Sequence, residues 1–174
     1  MIVDMPGSRD FRTAQAFNLL QVDASGKDIG RRVYWKLYAI ENVVRVLIHS
    51  VLCAQIDPSW WASAVDQTLQ NKAQGFRRKY TSRPWHTSPG IHDIYYIDLF
   101  DLNEIIRANS HLFLLVVPDI DQWMAKIEQI RLPRNVVAHM NWPSETDRKR
   151  IDVLYEDVLA LVKTLSGTLS FLIP

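Results

Sequence analysis

The chain has one cysteine, Cys53, in 174 residues. A single thiol closes no internal disulfide, so a disulfide-stapled fold is excluded and a reducing compartment fits. An excess of one charge is also missing: 20 Lys and Arg face 19 Asp and Glu, for a formal net charge of +1. Without a global positive field, any affinity for RNA must come from a local cluster. Long apolar runs are absent too. The longest, Leu112 to Val117, is far shorter than the ~20 residues that cross a bilayer. Residues 1–30 lack the apolar centre of a secretory signal. No membrane partner is expected, and a cytoplasmic location is. No glycine-rich phosphate loop supports nucleotide hydrolysis, and no nucleophile elbow supports serine chemistry.

The residues present read as one ordinary domain. Hydrophobic residues make up 48% of the chain, and a chain of this length buries about two thirds of its unfolded surface. The expectation is a single domain over 1–174, with 1–29 an extension carrying one short helix and 30–165 the helical core. Residues 1–7 read as loose, Asp10 as the cap of a helix over 11–22, and Ser25-Gly26 as its break. Over 30–55, Val33, Leu37, Ile40, Val44, Leu47 and Val51 recur every three or four positions, one stripe of an amphipathic helix.

Asp57-Pro58 opens a helix over 60–80, and residues 82–93, with Pro84, Pro89 and Gly90, form a loop. Helix resumes over 94–110, although Ile94-Tyr95-Tyr96-Ile97 is rich in strand formers. Pro118-Asp119 opens another over 120–131. Ser144 and Asp147 are spaced like a capping box before a last helix that sets Ile151, Leu154, Val158, Leu161, Leu165 and Leu169 on one face. Strands do not alternate with helices anywhere, so the pattern predicts an all-α fold, a helical bundle of about five to six helices.

The chemistry concentrates in Arg134-Asn135-Val136-Val137-Ala138-His139, behind Pro133. Proline suits a first helical turn, where its missing N–H needs no partner, so the run reads as the start of a short helix. A guanidinium grips phosphate through a planar fork and stays charged. An imidazole gives or takes a proton near neutral pH. Together they suffice for cleavage of an RNA backbone without metal or cofactor. The attacking group is the 2′-hydroxyl, so DNA can bind at most and is not cut.

Five residues at about 100° each place Arg134 and His139 about 140° apart on a regular helix, whereas Asn135 and His139 share a face. Either Arg134 folds back from the helix mouth, whose backbone donors favour an anion, or a second copy of the chain completes the site. The plainer reading of the same residues is a solvated arginine and a hydrogen-bonded core histidine.

The six residues resemble the R-N-x-x-x-H signature of the HEPN superfamily. Tyr38-Ala39-Ile40-Glu41-Asn42-Val43-Val44-Arg45 is similar to an early helix of one branch of that superfamily. The stretch Asp98 to Ile106, followed by Asn109 and Phe113, is similar to the middle of the same branch. The likeness spans roughly residues 30–165. It implies an all-α, HEPN-like domain acting as a homodimeric, metal-independent endoribonuclease, with Arg134 and His139 catalytic and Asn135 and Glu41 in support. It also implies a role as a toxin or antiphage effector, with a cognate antitoxin as a possible partner. The alternative is a non-catalytic helical module that binds RNA or protein.

Other signals are weaker. Glu41 and Arg45, four apart, read as an exposed ion pair worth about 0.3–0.5 kcal/mol. Glu41 also borders the apolar stripe, from which a carboxylate reaches Arg134 or His139 on a facing helix. Lys72, Arg77, Arg78, Lys79 and Arg83, interleaved with Phe76, Tyr80 and Trp85, supply cations and rings for single-stranded RNA. As a bland alternative they form a charged helix end. Arg45, Arg77, Arg78, Lys79 and Arg131 are the RNA contacts expected. His86 and His92 have no ligand cluster around them, so no zinc is expected, and His49 and His111 read as core-edge residues. Trp60-Trp61 reads as packing. The apolar end, Leu169 to Pro174, is expected to fold back on the bundle or to cover a partner.

Overall fold

A computed structural model describes residues 10–13 and 18–174. The loose segment expected at 1–7, and part of the helix expected over 11–22, lie outside the described residues. Among those described the fold is all helical and without strands. A 3-10 turn at Phe11–Thr13 is followed by α1 (Leu19–Ile29), a π-turn (Gly30–Tyr34) and α2 (Trp35–Gln55). Next come α3 (Trp61–Ala64), α4 (Gln67–Thr81), a 3-10 turn at Asp93–Tyr96, α5 (Leu99–Ala108) and α6 (Ser110–Phe113). The series closes with α7 (Ile120–Gln129), α8 (Arg131–Ala138) and α9 (Glu145–Leu165).

The described residues form more helices than the five to six expected, and several boundaries differ. The helix expected over 94–110 is a 3-10 turn and α5, with Ile97 and Asp98 extended between them. Leu169, placed on the last helix, lies beyond its end at Leu165. Ser25-Gly26 does not end the first helix, which runs on through the π-turn into α2. Glycine costs a helix about 1 kcal/mol against alanine, but Ser25 is buried and its hydroxyl accepts the Trp142 indole N–H at 2.6 Å. The tertiary bond outweighs the local preference. The cap of that helix is Asn18, whose side chain accepts the Leu20 amide, while the Asp10 carboxylate is turned to Arg12. The helix expected over 60–80 is two helices, because Val65 is extended and Asp66 caps α4 by accepting the Thr68 and Leu69 amides.

The stripe along α2 forms the centre of the core. Val33, Leu37, Ile40, Val44, Leu47 and Val51 are all buried, and they join Leu102, Ile105 and Ile106 of α5 and Ile151, Leu154 and Val158 of α9 in one cluster. Each such side chain contributes about 1.5–3 kcal/mol by leaving water. Helices α5, α6 and α9 pack on α2, and α8 is held against α7 and α9. Ser144 caps α9 by accepting the Asp147 amide at 3.1 Å. The residues after α9 fold back, with the Leu172 amide donating to Ser50 Oγ on α2 at 2.8 Å. Residues 19–55 include an apolar window of mean hydropathy 1.5, long enough for a membrane span by composition; 56% of it is buried inside the bundle, as in a core helix.

Candidate active site

The motif helix α8 starts at Arg131, three residues ahead of Arg134. Pro133 therefore sits in the first turn, where it removes no intrahelical bond. The Arg134 amide donates to Ile130 O at 2.8 Å. The backbone anion donors expected behind Pro133 are thus not present at these two residues: proline has no N–H and the arginine's is taken. His139 ends the helix. The Met140 amide donates to Val137 O and the Asn141 amide to Val136 O, the paired bonds of a Schellman cap. That cap needs a left-handed residue, and Met140 supplies it at φ 59 where glycine is usual.

Arg134 faces α2. Its Nη2 lies 3.2 Å from Glu41 Oε2, while Glu41 Oε1 accepts from Arg45 Nη2 at 2.5 Å. One carboxylate thus bridges two guanidiniums. Arg45 is buried, at 8% exposure, and also donates to Ile94 O, Ile97 O and Asn42 Oδ1. The surface ion pair expected of Glu41 and Arg45 is instead a buried clamp on the turn that precedes α5. Arg45, expected as an RNA contact, thus has its guanidinium donors engaged by the protein's own carbonyls, Asn42 and Glu41.

Two cavities share this triad. One, of about 630 Å³, is lined by Tyr34, Tyr38, Glu41, Arg134, Val137 and Met140 among others. The second, of about 280 Å³, runs toward α4 along Lys72, Phe76 and Tyr80. Glu41, Arg45, Pro89, Tyr95 and Arg134 border both. His139 is exposed and does not line either one; Asn135 is half-buried. The fold brings Arg134, Glu41 and Arg45 together and leaves His139 at the outer end of the helix that carries Arg134.

The expected basic patch is partly neutralised. Arg77 pairs with Asp93 at 2.8 Å, Lys72 with Asp101 at 2.6 Å, and Arg131 with Glu128 at 3.1 Å. Arg78 and Lys79 are exposed, and the Lys79 ammonium lies 4.6 Å from the centre of the Phe76 ring. Arg12 is a cation the sequence reading missed. Its Nη1 donates to Asn141 Oδ1 at 3.0 Å, and Asn141 Nδ2 donates to His139 O at 2.9 Å. No local pattern joins residues 129 positions apart.

A second polar cluster lies under α2. Trp60, fully buried, donates its indole N–H to His49 Nδ1 at 3.1 Å. The neutral His49 ring then keeps its proton on Nε2, the nitrogen 3.5 Å from Cys53 Sγ. A protonated nitrogen cannot take the thiol proton, and burial pushes the Cys53 pKa up, so this pair is not an activated nucleophile. His92 stacks on Trp60 and caps the Asp93–Tyr96 turn, its Nδ1 accepting the Ile94 amide at 3.1 Å. Burial lowers its pKa to about 4, with His49 adding to the shift. His49 is half-buried as expected of a core-edge residue, whereas His111 is exposed. Among the described residues no three His, Cys, Asp or Glu side chains gather to hold a metal ion. No protein-family model matches the chain, and neither do any of the curated proteins or solved structures compared with it.

Proposed function

We propose that the chain is a HEPN-like endoribonuclease that works as a cytoplasmic homodimer and needs no metal. The observation that carries this reading is Arg134 held by Glu41 at the wall of a 630 Å³ cavity, with the exposed imidazole of His139 five residues on in the same helix. His139 takes the proton of an RNA 2′-hydroxyl, and the 2′ oxygen bonds to the adjacent phosphorus. The P–O5′ bond breaks, and the leaving oxygen is protonated by the second imidazole of the dimer. The products are a 2′,3′-cyclic phosphate and a 5′-hydroxyl. Proton transfer of this kind contributes about 10²–10⁴ in rate. Arg134 neutralises the charge that builds on the phosphorane oxygens, and Asn135, on the face of His139, orients the imidazole.

The dimer is favoured by what rims the cavity. Tyr34, Tyr38 and Met140 are 56%, 64% and 81% exposed around it, apolar surface that a second copy would cover while bringing its own His139 toward Arg134. The test is purified wild type, His139→Ala and Arg134→Ala with end-labelled RNA in EDTA. Wild type is expected to leave cyclic phosphate ends and the variants to leave RNA intact. Cleavage that survives both substitutions rejects the dyad, and cleavage that EDTA abolishes rejects the metal-free step.

A second reading is a non-catalytic module that binds RNA or a partner protein. Its support is that Glu41 already occupies Arg134 and that His139 stands outside the cavity of its own protomer. It predicts RNA retention with no cyclic phosphate product. A role as toxin or antiphage effector, with a cognate antitoxin masking the site, belongs with the nuclease reading and rests on the family resemblance alone.

A further inference from the structure

We propose that the face of α4 carrying Phe76 and Tyr80 is a nucleobase-stacking subsite that leads an unpaired strand to the Arg134 cavity. The proposal rests on the reading of Arg134 as a phosphate contact. Lys72, Phe76 and Tyr80 are spaced four apart, so they form one row along the helix, and all three line the 280 Å³ cavity. That cavity shares Arg134, Tyr95 and Pro89 with the larger one, which makes a single path from α4 to the motif. Its volume falls below the roughly 300–1,000 Å³ of pockets that enclose a folded ligand. One planar base fits such a space better.

The chemistry of the walls points the same way. Three cations, Arg45, Lys72 and Arg134, face two carboxylates, Glu41 and Asp98. Most of that charge is already paired, Lys72 with Asp101 and Arg134 with Glu41. Attraction for a chain of phosphates is therefore modest, and rings dominate. Phe76 is 41% exposed, with the Lys79 ammonium over one face of its ring, 4.6 Å from the centroid. Rings flanked by cations are how proteins hold bases that are free of a duplex. A duplex keeps its bases stacked inside and offers these rings nothing.

The experiment uses a fluorescein-labelled 2′-O-methyl oligouridylate, alone and annealed to its complement, with binding read by anisotropy. The methyl group removes the attacking hydroxyl, so the probe stays intact whichever side chain acts as base, and the result is independent of catalysis. Phe76→Ala is expected to weaken binding of the single strand about tenfold, the effect of losing one stacked base, with Phe76→Trp close to wild type. Duplex is expected to bind more weakly than single strand and to be indifferent to both changes. Equal binding by wild type and Phe76→Ala, or duplex bound as tightly as single strand, would overturn the subsite. Loss of RNA cleavage in His139→Ala with Phe76 indifferent to the probe would leave the nuclease standing without it. Circular dichroism of Phe76→Ala checks the fold, which alanine at a half-exposed helical position preserves.

Discussion

Compared with replacing Arg134, replacing Arg45 by alanine will remove far more stability. The side chain is buried and its donors serve Glu41, Ile94 O, Ile97 O and Asn42. Two buried carbonyls lose their donor, each at about 1–3 kcal/mol, and Glu41 keeps only Arg134. The expected loss is about 3–5 kcal/mol, in line with breaking a buried ion pair from one side. A domain has about 5–15 kcal/mol in all, so the variant should unfold at a far lower urea midpoint. Arg45→Lys recovers little, because one ammonium cannot span two carbonyls and a carboxylate. Arg134→Ala, which gives up one 3.2 Å contact from a side chain 23% exposed, should cost less than about 1 kcal/mol. Urea titrations followed by circular dichroism measure all three. If Arg45→Ala stays within 1 kcal/mol of wild type at unchanged slope, the clamp reasoning is wrong.

Met140→Gly should raise stability by about 0.5–1 kcal/mol, since glycine adopts φ 59 without strain and Met140 is 81% exposed; an unchanged or lower melting point would refute this. Desolvation lowers the pKa of the half-buried His92 from 6.5 to about 4 in the folded state. The stability it contributes is whole above about pH 6.5 and is lost as pH falls toward 4, with the Ile94 cap broken once Nδ1 is protonated. His92→Asn keeps an acceptor and cannot titrate, so urea midpoints between those pH values should fall less steeply than in wild type. A slope as steep as before would exclude His92 as the cause. In Gly90→Ala the new Cβ would lie 2.3 Å from Tyr95 Cδ2, so the ring must leave its place beside Arg45 and between the two cavities. Tyrosine fluorescence and oligouridylate affinity should both change, and neither changing would show that the loop gives way instead.

The bundle was legible where one helix carries its own evidence. The α2 stripe is buried residue for residue, and Ser144 caps α9 as its spacing promised. The reading failed where a distant partner decides. Ser25-Gly26 has the composition of a break, yet Ser25 is buried and bonded to Trp142, 117 positions away, which no local pattern reveals. Val65-Asp66 was different, because Asp66 ahead of Gln67 is a recognisable cap hidden inside a helical pattern. Glu41 was legible as a border carboxylate within reach of Arg134. The burial of Arg45 was not, because its carbonyl partners belong to a 3-10 turn written in strand-forming residues. Whether Arg134 and His139 meet was not legible either, since their spacing sets them on different faces of one helix.

The π-turn at Gly30–Tyr34 fits one extra residue into what is otherwise an unbroken rod, and it sets the rotational phase of everything upstream. Deleting a single residue there would remove the extra one, so the segment closes to regular α-helix and α1 keeps nearly its present phase, with Ser25 still toward Trp142. Inserting a residue between Ser25 and the turn would instead rotate Ser25 by about 100° about the helix axis, and its bond to Trp142 would be lost without any change to either side chain. Such an insertion, more than any substitution, is thus the means to detach the amino-terminal arm from the motif and ask what the arm is for.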